Sequence, residues 1–342
     1  MLSLFTAPCP LSTKKGVFLL KEKIFAAVFA VVFSCVTVCG SFTQKVFAEE
    51  KAAPEFESVS YTAPITLHWL AKAGVPEAVE FIGTLSAKNI LDKVEMRDPE
   101  RVERANAVYQ EMHYTALNEY IEKNGYKTVV DLGCGVSPRG IMMARKGINY
   151  VGIELPAVAE AVEEYVPMFL DDDQLKYFTI AAADFTDREA MLAAVKNVDG
   201  PVCIVSELVL DFLSREKQDA LFKNIHEILK EKGGCFITCD YTTGELFWDG
   251  TAAIYGEKPT RRIAEDTVKL YAEVSETDFS GTVFETHEEA KAFIAAHNFN
   301  LQEVPVISDA SKLYSVQSLS DKQIKKLQKF AKTKLLWVMT AK

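Results

Sequence analysis

"TVVDLGCGVSPRG", from Thr128 to Gly140, decides the fold. The apolar run Thr128 to Leu132 reads as a strand. Gly133 and Gly135 follow it, and then Pro138, which suits the first turn of a helix. A strand that breaks on glycines into a helix presents free backbone donors at the strand's carboxyl end, where open α/β sheets take ligands. The position where a dinucleotide fold carries its third glycine is Pro138.

Downstream, strands are expected over about 127–132, 149–154, 176–181, 200–206 and 233–239. Helices are expected near 138–146, 157–167, 187–197 and 214–231. This alternation is the rhythm of an open, mainly parallel α/β sheet of Rossmann-like type. Upstream, residues 58–126 form an N-terminal helical cap, in which Ala105, Val108, Met112, Ala116 and Tyr120 recur at helical spacing before Gly125. The body proper is residues 127–342, broken by an insertion or lid over about 244–300. A long helix near 319–332 precedes "TKLLWVMTA", which adds a late strand.

The chain has 342 residues, 49% of them hydrophobic, enough for a sizeable core. Without the first 48 residues, which hold five Lys and one Glu, 33 basic and 47 acidic residues remain, a net charge of −14. Phosphate neutralisation by such a body is not expected, so no nucleic-acid partner is. Of seven cysteines, Cys134, Cys203, Cys235 and Cys239 lie in or beside strands and read as buried thiols. Cys235 and Cys239 are too far apart in sequence for a CxxC pair, and no compact Cys/His cluster has metal spacing, so no metal is expected.

Acids stand at the following strand ends. "NYVGIELP" puts Glu154 after the second strand, about twenty residues from Gly133, where a carboxylate accepts from ribose hydroxyls. "FTIAAADFTD" puts Asp184, with Phe185 beside it, after the third, where an adenine amino group is read. A cofactor without pyrophosphate does not need the third glycine, and S-adenosylmethionine fits. Its amino-acid part lies over the Gly133–Gly135 turn, and Asp131 either meets its ammonium or caps the turn.

At these residues the chain resembles the class I methyltransferases, whose sheet is mostly parallel with one late antiparallel strand. It is more specifically similar to the leucine carboxyl methyltransferase family, including polyketide O-methyltransferases of the tetracenomycin type. That family's turn, LGxGxDTR, reads here as Leu132-Gly133-Cys134-Gly135-Val136-Ser137-Pro138-Arg139. Glu154-Leu155-Pro156 matches its acid-leucine-proline, Asp184 its adenine-side acid, and Glu207 the glutamate of its EGVLMYL stretch. The resemblance implies an S-adenosylmethionine-dependent enzyme in which Glu207 lies near the active centre. It also makes Arg104 a candidate for the cofactor carboxylate. Three positions depart from it: Ser137 replaces an acid, Leu208 a glycine and Asp211 a methionine.

Methyl transfer from a sulfonium mainly requires alignment and exclusion of water. The expected partner is a small-molecule acceptor methylated on oxygen. A carboxylate acceptor held by Arg104 or Arg139 needs no base. A hydroxyl acceptor needs one, with Asp211 or His113 as candidates. Tyr241, after the fifth strand, either lines the acceptor site or packs. A cofactor-fold binding protein without activity is one alternative. An NAD-dependent oxidoreductase is another, but it lacks both the third glycine and a Tyr-x-x-x-Lys pair after strand four.

Residues 1–48 read as a leader, with lysines flanking an apolar stretch from Ile24 to Phe42 that is either a signal peptide or a membrane tether. Val46-Phe47-Ala48 reads as a cleavage site, and 49–57 as a polar linker. The positive flank puts the body outside the cytoplasm, whereas cofactor supply favours the cytoplasm. Export or anchoring predicts a product beginning at Glu49 or a membrane-bound full chain, read by fractionation and N-terminal mass spectrometry. A soluble cytoplasmic product starting near Glu50 is the opposite result.

Overall fold

The computed structural model describes residue 60 and residues 62–82, 91–92, 94–276 and 282–342. The expected leader and linker lie outside the described residues. Among the described residues no helix is long and apolar enough to cross a membrane.

Three helices come first, α1 (Thr62–Ala73), α2 (Pro76–Phe81) and α3 (Pro99–Lys123). An alternating run follows: β1 (Thr128–Leu132), α4 (Arg139–Arg145), β2 (Asn149–Glu154), α5 (Pro156–Tyr165), α6 (Asp172–Leu175) and β3 (Phe178–Ala182). It continues through α7 (Arg188–Ala194), β4 (Val202–Ser206), α8 (Arg215–Lys232) and β5 (Gly234–Thr238). The chain then adds α9 (Thr243–Tyr255), α10 (Glu257–Ser275), α11 (His287–Ala296), β6 (Phe299–Pro305), α12 (Asp321–Ala331) and β7 (Leu335–Ala341).

The seven strands form one sheet in the order β3-β2-β1-β4-β5-β7-β6. Strands β1 to β5 are mutually parallel, and β7 runs antiparallel to both neighbours. This is the mostly parallel, Rossmann-like sheet with a late reversed strand. β1 and β4 are buried at every residue, so both faces of the sheet are covered. Val129, Cys203, Val205 and Ile237 face one side, into a core shared with α3. Val130, Leu132, Ile204 and Phe236 face the other, against α8. The four cysteines of the described body are buried and in no disulfide.

α3 starts on a cap, with Asp98 Oδ1 accepting from the Arg101 amide at 3.3 Å and Pro99 in the first turn. Its apolar stripe, including Val102, Ala105, Val108, Met112 and Leu117, joins the sheet core. The helix is thus a layer of the core as well as part of the N-terminal extension. Arg97 clips its start to α10, donating from its backbone N–H to Asp266 Oδ2 at 2.9 Å and from Nε to Oδ1 at 2.8 Å.

The 244–300 segment divides. α9 and α10 pack beside α3, whereas α11 is an ordinary crossover helix whose Ala290 and Ile294 sit in the α8-side core. β6 has no counterpart among the expected strands. It is an edge strand that exposes Asn300, Gln302 and Glu303 and ends on Pro305, so its hydrophobic pattern is weak.

Leu117 is fully buried between α3 and the sheet. Leu117→Ala is expected to lower stability by about 2–5 kcal/mol, read by urea unfolding. A loss near zero would show α3 to be a detachable cap.

Candidate active site

Two glycines build the turn after β1. Gly133 and Gly135 have φ of +60° and +52°, in the left-handed region. A Cβ at Gly133 would lie 2.7 Å from Val209 Cγ2, and one at Gly135 would lie 3.0 Å from the Ala63 Cβ. The turn is therefore overlaid by α1 from one side and by the loop after β4 from the other. Pro138 leads into α4, and Ser137 Oγ accepts from the Arg139 amide at 3.3 Å.

Arg139 is buried with 1% of its side chain exposed. Its Nη1 donates to Asp131 Oδ2 at 2.8 Å, its Nε to Asn118 Oδ1 at 2.8 Å, and its Nη2 to Glu207 Oε2. Tyr150 Oη donates to the same Asp131 oxygen at 3.0 Å, and the guanidinium lies over the Tyr114 ring at 5.3 Å. Removing one member of such a group leaves the others buried and uncompensated. The guanidinium is committed on all three nitrogens, so it offers an acceptor carboxylate no bidentate edge.

Glu207 Oε1 is buried and has no hydrogen-bond partner. Burial pushes the Glu207 carboxyl up to about 7, against the pull of Arg139. The loop that carries it is held by Asp240, at the end of β5. Asp240 Oδ1 accepts from the Leu208 amide at 2.8 Å, and Oδ2 from those of Val209 and Leu210 at 3.0 Å and from Ser206 Oγ at 2.9 Å. Leu208 has φ of +59°, at the position where the resembling family has glycine. Such a conformation costs a non-glycine residue about 1–2 kcal/mol, and the Asp240 hydrogen bonds hold it.

Glu154 is buried beside the turn. Its Oε2 accepts from the Gly135 amide and its Oε1 from the Leu155 amide, each at 2.8 Å. Burial raises its carboxyl above the usual range. Phe185 is buried, with its ring edge 3.5 Å from the Gly133 Cβ position. Asp184 is exposed, and its Oδ1 accepts from the Thr186 amide at 2.8 Å and the Thr186 hydroxyl at 2.6 Å. Asp131, Gly133, Gly135, Glu154, Phe185, Asp184 and Glu207 thus gather along one edge of the sheet.

Two expected residues do not join them. Arg104 is 44% exposed and lies 3.8 Å from Glu100. It precedes Asn118 by fourteen residues, roughly 21 Å along α3, so the helix carries it away from the turn. Tyr241 packs with Phe222, Phe284 and Trp337 in the α8-side core, on the face opposite α3. Asp211 is on the Tyr241 side, where burial chiefly, then Asp240 and Asp211, raise the tyrosine hydroxyl. Asn118, Tyr150 and Asp240 were not singled out from sequence. A signal existed for Asp240, an acid directly after an apolar strand, like Asp131 and Glu154.

No family model matches the chain, and no curated protein matches it. Among solved structures it is similar to the methyltransferase domain of bacterial CtHen1, at 14% identity over 66% of this chain and 99% of that one, with a TM-score of 0.39. It is also similar to the glycopeptide N-methyltransferase MtfA complexed with S-adenosylmethionine, at 17% identity over 36% and 52% of the two chains and a TM-score of 0.29. A third is the magnesium protoporphyrin IX methyltransferase ChlM from Synechocystis PCC 6803 with bound S-adenosylhomocysteine, at 14% identity, 44% and 63% coverage and a TM-score of 0.31. Likenesses this distant say nothing of what the present chain binds.

Removing the Asp240 carboxylate strands three backbone donors and a serine. Asp240→Ala is expected to cost about 3–5 kcal/mol in urea unfolding. Glu207 gives a pH signature. Its folded pKa, about 7, lies above the ordinary 4.5, so the folded state holds the proton more tightly. Its contribution is complete below about pH 4.5 and is lost as pH rises through about 7. Between about pH 5 and pH 8 the wild type should therefore lose more stability than Glu207→Gln. Parallel slopes would show that Glu207 titrates normally.

Proposed function

We propose that this protein is a methyltransferase that uses S-adenosylmethionine and methylates an oxygen of a small molecule. The observation that carries the reading is the charge at the carboxyl edge of the sheet. Asp131, Glu154, Glu207 and Asp240 are largely buried there, with Arg139 as the one buried guanidinium among the described residues. An edge this rich in carboxylates disfavours a pyrophosphate and favours a cationic ligand. S-adenosylmethionine supplies, when bound, a methyl group on a positively charged sulfur.

The chain's own groups fit that ligand. The unpartnered Oε1 of Glu207 accepts an ammonium hydrogen, which would also draw its carboxyl back toward the ionised form. Asp131 pairs with Arg139 and sets the floor of the turn. Glu154 has lone pairs left for ribose hydroxyls beyond its two backbone donors. Phe185 offers a ring to the adenine side, with Asp184 at its rim. The resemblance to the leucine carboxyl methyltransferase family belongs to this proposal, with Leu208 and the committed Arg139 arguing against a carboxylate substrate.

A binding role without turnover has one observation behind it, the close cover of Ala63 and Val209 over the glycine turn. Calorimetry decides the cofactor: S-adenosylhomocysteine should bind and NAD should not, and Glu154→Ala should weaken binding by about 1–3 kcal/mol. NAD binding with no response to S-adenosylhomocysteine would overturn the proposal. Release of S-adenosylhomocysteine from S-adenosylmethionine with a small-molecule extract separates an enzyme from a binding protein.

A further inference from the structure

α3 carries three uncharged polar side chains on one buried face, Asn106, Gln110 and His113, four and three residues apart. Each is fully buried, with a relative exposure of 0%. Each also leaves polar atoms without a partner: Asn106 Oδ1, Gln110 Oε1 and both ring nitrogens of His113. Asn106 Nδ2 is fixed by Val102 O at 2.8 Å and Thr267 Oγ1 at 2.9 Å, which orients its free oxygen. Gln110 Nε2 reaches Tyr271 Oη at 3.4 Å. Buried polar atoms are almost always satisfied, because leaving one bare forfeits its hydration without replacement. Three on successive turns of one helix face mark a surface shaped for something that hydrogen-bonds to it.

The face packs against α10 through Thr267 and Tyr271, and its last member, His113, lies one to two turns before the Arg139 contact. His113 precedes Asn118, the partner of Arg139, by five residues, about 7.5 Å along the helix. Its ring is 4.5 Å from that of Tyr109, which meets Phe247 of α9 at 5.3 Å. Tyr109 and Phe247 share their core cluster with Cys134 of the glycine turn, and Leu208 packs against it. The free atoms include two amide oxygens and, on a neutral imidazole, one lone pair. Burial pushes the His113 ring down to about 3, so it is neutral. Arg139, the one buried guanidinium among the described residues, is already committed. Three free acceptors against one imidazole N–H favour a hydrogen-bond donor over a carboxylate.

We propose that the Gln110–His113 face of α3 is the acceptor site, that it takes a neutral hydroxyl, and that His113 receives the hydroxyl proton. This rests on the methyltransferase reading above. The hydroxyl oxygen forms the new C–O bond as the S–CH3 bond breaks. The electron pair of that bond stays on sulfur, and the proton moves to a ring nitrogen of His113. One positive charge leaves the sulfonium and one appears on the imidazolium, so the net charge of the buried site is unchanged. As the C–O bond forms the hydroxyl becomes an oxonium, a far stronger acid than the imidazolium, so even a ring of low proton affinity takes its proton.

The test uses the full chain with S-adenosylhomocysteine, and two probes followed by fluorine NMR, 4-fluorophenol and 4-fluorobenzoate. The phenol should bind at least tenfold more tightly than the benzoate, and His113→Phe and Gln110→Met should each weaken it at least tenfold. The same variants without ligand should melt at or above the wild-type temperature, because they remove unsatisfied buried atoms. Equal or tighter benzoate binding, no phenol binding, or phenol binding untouched by both variants would overturn the site. So would a fall in melting temperature in both variants, which would make the side chains structural. Failure of S-adenosylhomocysteine to bind is read separately by calorimetry and removes the methyltransferase reading. The phenol preference is then measured on the bare protein.

Discussion

The Arg139 guanidinium ties together three parts of the chain that are far apart in sequence. Asp131 closes β1, Asn118 belongs to α3, and Glu207 begins the loop after β4. A buried cation must be met by carboxylates, and buried carboxylates by a cation, so none of the three segments can shift alone. The position of α3 over the sheet follows from this constraint as much as from its apolar stripe. Desolvation makes such a cluster a poor source of net stability. Its consequence is geometric: it sets where the helix face bearing His113 stands relative to the strand ends.

A second carboxylate extends the constraint. Asp240 gathers three successive backbone N–H groups and a serine hydroxyl, and so forces the chain after β4 into a tight bend. Leu208 accepts a left-handed conformation there instead of a glycine. The bend lays Val209 against Gly133 and turns Glu207 inward toward Arg139. Two strand-end acids thus do different work. Asp131 neutralises a cation, whereas Asp240 satisfies a backbone nest.

Much of this was legible in the sequence. The five mainly parallel strands, their helices and the presence of a late strand came from apolar runs, glycine breaks and helical spacing, which are local signals; the reversal of the late strand came from the resemblance to class I methyltransferases. The strand-end acids Asp131, Glu154 and Asp184 were legible because a strand's end is a fixed place in such a sheet. What escaped was non-local. β6 is half exposed at an edge, so it has little pattern to read. Arg104 and Arg139 look alike as sequence candidates, and only the packing of α3 separates them, by placing one in solvent and the other in the core. Tyr241 follows a strand end as Glu207 does, yet the pleat sends its ring to the opposite face. Asn118, Asn106 and Gln110 look like ordinary helix residues until burial shows that water does not satisfy them.

The two sides of the proposed centre differ in the charge they can hold. The strand ends carry several carboxylates against one guanidinium, and the pKa values of Glu154 and Glu207 are raised because that excess is buried. A cation arriving there lowers the energy of groups already present. The α3 face carries no formal charge, and its ring is held neutral by burial. A group arriving there does best as a neutral donor. A carboxylate placed on the α3 face would be costly in so dry a region. A reaction that keeps the number of charges constant costs less there than one that creates a new ion. Methylation of a neutral hydroxyl has that form. Methylation of a carboxylate instead removes an ion pair, and among the described residues the one buried guanidinium is already committed and does not hold the carboxylate beforehand.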